Sequence, residues 1–86
     1  MSDVPIGKVT HYFDRIQVAV LELNEALNVG DKIRVSGHAT ELEQTVESLQ
    51  IDHRPVHQGL PGQEVALKVI GRVRDHDQVY RMPPAG

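Results

Sequence analysis

Hydrophobic and polar positions alternate in short runs along this chain, and turn residues separate the runs. Gly7, Gly30-Asp31, Gly37, Gly59-Leu60-Pro61-Gly62, Gly71 and Asp75-His76-Asp77 punctuate it, and β-branched segments lie between, the pattern of a small all-β domain. Ile6 to Phe13 reads as a first strand. Arg15 to Leu23 reads as a second, joined to the first by a tight turn at Asp14-Arg15. The second run is almost continuously apolar (Ile16, Val18, Ala19, Val20, Leu21, Leu23), which suits a strand covered on both faces. Leu27 to Asp31 forms a turn, since Asn28 and Gly30 tolerate positive φ and Asp31 can bond nearby backbone. Ile33 and Val35 then point inward and Lys32 and Arg34 outward.

Residues 40–53 are ambiguous. Thr40-Glu41-Leu42-Glu43 matches a helix capping box, and Leu42, Val46 and Leu49 fall at helical spacing. As a strand the segment changes parity between Val46 and Leu49, which requires a β-bulge near Glu47-Ser48. Local pattern alone favours the helix. Beyond the Gly59–Gly62 turn the alternation returns: Val65, Leu67 and Val69 inward, Glu64, Ala66 and Lys68 outward. A turn at 75–77 leads to a last strand with Val79 and Tyr80.

The length of 86 residues sets one domain, residues 1–86, with a core over about 6–82 and flexible ends at 1–4 and 83–86. Without cysteine there are no disulfides, thiolate zinc sites or cysteine nucleophiles. No apolar run is long enough to span a bilayer and no leader is visible, so a cytoplasmic protein without membrane contact is expected. The net charge of −3 is uneven: residues 1–53 carry four basic and nine acidic side chains, residues 54–86 five basic and three acidic.

Four segments in order resemble a known family. Leu27-Asn28-Val29-Gly30-Asp31-Lys32-Ile33-Arg34-Val35 resembles the turn and strand of the β-barrel domain that follows the GTPase domain in elongation factor Tu and related translation factors. Thr45 to Ile51 is similar to that barrel's bulged strand, Gly62 to Val69 to its "G-x-x-V-x-L-x-V" strand, and Val73 to Tyr80 to its closing hairpin. A barrel of similar kind also closes the C-terminus of a collagenase-like peptidase family involved in RNA modification. The resemblance implies a single small, closed, six-stranded-type β-barrel and a bulged strand, not a helix, over 40–53. One departure is His76, which stands where the family commonly has Gly; either the turn has another geometry or His76 takes a left-handed backbone. No G-x-x-x-x-G-K-[ST] phosphate loop is present, so the chain is not the GTPase itself.

The constellations that could carry chemistry have plainer readings. His53 and His57 sit i, i+4 around Pro55, which opposes a helix; on a strand they lie ~13 Å apart. Asp75-His76-Asp77 reads as a polar turn, and Gly59-Leu60-Pro61-Gly62 as a turn and not an RNA-binding G-x-x-G loop. Ser36 and Ser48 lack a G-x-S-x-G setting. Of the aromatics Tyr12, Phe13 and Tyr80, Phe13 is expected in the core.

The leading expectation is a non-catalytic binding module, not an enzyme and without a cofactor, linked to translation and RNA metabolism. It would contact tRNA or rRNA through Lys32, Arg34, Arg72 and Arg74. A second reading is an adaptor working in trans with a larger translation or RNA-modification protein, through the acidic strip of Glu41, Glu43, Glu47 and Asp52. A third is a small metal- or ligand-binding protein using His53, His57 or His76. Nothing in the sequence sets the oligomeric state.

Overall fold

A computed structural model describes residues 3–83, so the expected flexible ends fall partly outside the described residues. Ten strands follow one another: β1 (Val4–Phe13), β2 (Val18–Leu23), β3 (Leu27–Asn28), β4 (Lys32–Ser36), β5 (Glu41–Thr45), β6 (Leu49–Ile51), β7 (Arg54–Val56), β8 (Gln58–Gly59), β9 (Glu64–Lys68) and β10 (Gln78–Arg81). Eight form one antiparallel sheet in the order β5-β4-β10-β1-β2-β9-β6-β7, and β3 pairs with β8. The all-β class holds, and no helix occurs among the described residues.

The closed six-stranded barrel does not. β5 and β7 are the two ends of the sheet, and no backbone ladder joins them. The reason lies at residues 46–48, where the expected single bulged strand is broken into β5 and β6. Val46 exchanges hydrogen bonds with the β3–β4 turn, donating to the Asp31 carbonyl and accepting from the Gly30 N–H, both at 2.8 Å. The chain then crosses through Glu47 and Ser48 to β6, whose ladder with β9 is the single rung of Gln50 opposite Ala66. The sheet therefore curls around its core but leaves a seam between β5 and the end of β9.

A side chain bridges that seam. Gln44 of β5 is buried; its Nε2 donates to the Lys68 carbonyl and its Oε1 accepts from the Ile70 N–H, each at 2.8 Å. A primary amide offers the same donor and acceptor as a peptide group, so Gln44 stands in for one rung of the missing ladder. The core beneath unites Ile6, Val9, Leu21, Leu23, Leu27, Ile33, Val35, Val46, Leu49, Val65, Val73 and Val79, each at most 2% exposed.

β1 bends to serve two neighbours. Its register slips between Pro5 and Gly7 against β10 and between Val9 and His11 against β2. Such bulges add twist and let one long strand follow a curved sheet. Residues 40–53 also change parity, with β5 and β6 separated by residues 46–48 and with Val46 and Leu49 both buried.

Two expectations for the first hairpin fail. Its turn is Asp14–Gln17, with Gln17 at φ 55°, so the second strand starts at Val18, not Arg15. Ile16 is consequently 60% exposed in the turn. Phe13, expected in the core, is 45% exposed, because the slip at Thr10 moves it outward and hands the inward position to Tyr12.

Candidate interaction surfaces

The outward sides of the sheet present two sectors of different chemistry. The first is β4 with its neighbours β5 and β10. Arg34 lies opposite Glu43 on β5 and Tyr80 on β10. Its guanidinium donates to Asp3 at 2.8 Å and Glu41 at 3.2 Å and stacks over the Tyr80 ring at 4.8 Å. The Asp3 hydrogen bond first, and Glu41 second, hold its pKa above the ordinary arginine value. Ser36 Oγ donates to the second Glu41 oxygen.

Of the four expected phosphate contacts, Lys32 and Arg34 share this outward side, two residues apart. Lys32 is half-buried and lies opposite Thr45, and its carbonyl accepts from the Met82 N–H. Arg72 and Arg74 are elsewhere, exposed on either side of the buried Val73 in the loop between β9 and β10. The Arg74 backbone is committed to the turn: its N–H donates to Asp77 Oδ2 at 2.8 Å and its carbonyl accepts from the Asp77 N–H. Asp77 is itself buried, and its Oδ1 fills the space where a Cβ on Gly37 would stand. His76 takes the left-handed conformation at φ 74°. No strand pairing joins the Lys32–Arg34 pair to the Arg72–Arg74 pair, and Arg34 spends its charge on two carboxylates.

The histidines do not converge. Asp52 and His53, at φ 51° and 65°, form the two-residue turn between β6 and β7, a conformation typical of type I′ hairpins. His57 lies beyond β7. Among the described residues no three metal-ligating side chains cluster.

The second sector is the outward side of β1, β2 and β9, where register aligns three rungs. Lys8, Glu22 and Glu64 form the first; His11, Val20 and Ala66 the second; Phe13, Val18 and Lys68 the third. The middle of this face is apolar. Ile16 and Ile70, the latter 67% exposed, adjoin its end, where Val69 donates to the Gln17 carbonyl. A shallow groove of about 120 Å³ lies beside it, lined by Val18, Ser48, Gln50, Ala66, Leu67 and Lys68. Sequence reasoning read β2 as covered on both sides; Ala19, Leu21 and Leu23 are buried, and Val18 and Val20 on the other side are half-buried.

No family model matches the chain. It is 36% identical over 78 residues to an uncharacterized protease of Methanocaldococcus jannaschii. It is 33% identical over 78 residues to a collagenase of Porphyromonas gingivalis. The matches cover 90% and 88% of this chain but 19% and 22% of those proteins, so the chain spans about a fifth of the length of the curated relatives it matches. Its fold is that of the C-terminal domain of a Geobacillus thermoleovorans protein assigned as a U32 peptidase, with a TM-score of 0.87 at 17% identity over 93% of each chain. The selenomethionine variant of that domain gives 0.84 at 18% identity, over 88% of this chain and 96% of the other.

These findings overturn the elongation-factor resemblance and the translation and RNA-binding reading drawn from it. The relatives are named for proteolysis, which contradicts the expectation of a non-catalytic module that is not an enzyme. The peptidase resemblance, noted only in passing, is the one the relatives favour. The misleading segment, Leu27 to Val35, encodes geometry: Gly30 sits at φ 99° and Asp31 Oδ2 accepts the Asn28 N–H at 2.9 Å. A turn that starts a strand is a fold signature and does not carry function.

Proposed function

We propose that the chain is a peptidase-associated β-domain of the U32 type, occupying the role that the C-terminal domain has in longer relatives. There it would act on polypeptide substrates together with the remainder of such a protein. The supporting observation is the 36% identity to a protease across 90% of this chain. The shared domain fold agrees with it.

A domain exchange tests the reading. This chain replaces the matched segment of the Porphyromonas gingivalis collagenase, and collagen cleavage is measured. The expected result is activity within about tenfold of the parent if the domain is exchangeable; deleting the segment should cost far more. A folded chimera as inactive as the deletion contradicts the proposal.

A further inference from the structure

Exposed apolar and basic side chains meet at one end of the β1–β2–β9 sector, and we propose that this end rests on an anionic lipid surface. The inference is independent of the peptidase reading. The contact is with the surface of a bilayer and asks for no crossing segment; among the described residues no helix is long and apolar enough to be one.

Strand register builds this end. Phe13, Val18 and Lys68 form the last rung of β1, β2 and β9. Val69 donates to the Gln17 carbonyl and carries the pairing one residue further. Ile16 and Ile70 adjoin that bond. Ile70 shares the parity of Lys68, on either side of the buried Val69, so it continues the outward side. Phe13 is 45%, Ile16 60% and Ile70 67% exposed. Among the described residues, three of the six exposed large apolar side chains thus gather at one end of the sheet.

Charge and shape select the occupant. Arg15 stands in the same turn as Ile16, Lys68 in the last rung, and Arg72 two residues beyond Ile70; all three are exposed. The turn supplies one carboxylate against them, Asp14. Among the described residues the salt bridges belong to Arg34, so these three cations are unspent. Their local excess contrasts with the whole chain, which carries nine basic and twelve acidic side chains. An anionic surface therefore attracts this end and repels the remainder, which fixes one orientation. Shape agrees, because the apolar side chains project from a turn and from the segment after β9. A protein partner for projecting tips needs a preformed complementary hole. The boundary between headgroups and acyl chains accepts isoleucine and phenylalanine tips without one. Apolar insertion and headgroup attraction are the two signals that stable surface binding takes, and this end carries both.

Co-sedimentation of the 86-residue chain with vesicles tests this, with folding of every variant checked by circular dichroism. One vesicle is pure phosphatidylcholine; the other contains about 30% phosphatidylglycerol. Partition onto the anionic vesicle should be at least ~5-fold stronger and should weaken as salt is raised. Ile16→Asp combined with Ile70→Asp should lower it at least ~10-fold. Arg15→Glu combined with Arg72→Glu should lower it ~10-fold and remove the salt dependence. Leu60→Asp changes an exposed apolar side chain outside this end and should leave partition within ~2-fold. A chain that binds neither vesicle overturns the proposal and leaves a protein partner as the occupant. Equal partition onto both vesicles, binding that survives the paired isoleucine changes, or an equal loss in Leu60→Asp overturns it as well.

Discussion

The two sectors of the sheet handle their outward surfaces in opposite ways. Around β4, β5 and β10, polar side chains answer one another: Arg34 with Asp3, Glu41 and Tyr80, and Ser36 with Glu41. Around β1, β2 and β9, the rungs carry valines, an outward phenylalanine and two carboxylates, Glu22 and Glu64, directly opposite each other. Like charges facing across a ladder are unfavourable, and apolar groups facing water gain nothing. The first sector satisfies itself. In the second, Glu22 and Glu64 face each other and Val18 and Val20 are only half-buried.

Substitutions sharpen that contrast. The largest effect belongs to Gly37→Ala, because the new Cβ falls on the Asp77 carboxylate that holds the 74–77 turn. The expected cost is about 3 kcal/mol, a fall in Tm of roughly 12–24 °C by calorimetry. Gln44→Leu keeps the volume but strands the Lys68 carbonyl and the Ile70 N–H, and should cost about 2 kcal/mol in a denaturant titration. Neutralising Arg34 by Arg34→Met should lower Tm less than either, and added salt should shrink the difference between variant and native protein, since the group is solvent-screened. On the other sector Val20→Lys should change stability by no more than about 0.5 kcal/mol, because its side chain points outward. A cost for Val20→Lys as large as that for Gln44→Leu would erase the distinction between the sectors.

Much of the strand pattern was readable from residues alone. The inward sets Ile33–Val35 and Val65–Leu67–Val69 followed from period-two alternation; the parity change between Val46 and Leu49 falls at a break between β5 and β6, not at a bulge within one strand. Positive φ at His76 was one of the two geometries left open there, and it is the one the fold adopts. The failures have a common origin in long-range geometry. Phe13 and Ile16 were misplaced because a bulge at Thr10 resets the parity of β1 and lengthens the turn, and no local pattern marks it. The open seam was invisible because closure depends on how strands distant in sequence meet. Gln44, an ordinary polar residue between Glu43 and Thr45, gave no sign that its amide would replace a backbone rung. The four basic residues were grouped by charge, whereas the fold puts two on β4 and two in the 69–77 loop.

The contrast between the sectors is tested most directly by denaturant unfolding of Gln44→Leu and Val20→Lys beside the native chain. The account predicts a loss of about 2 kcal/mol for Gln44→Leu and no more than about 0.5 kcal/mol for Val20→Lys. Equal losses would contradict it.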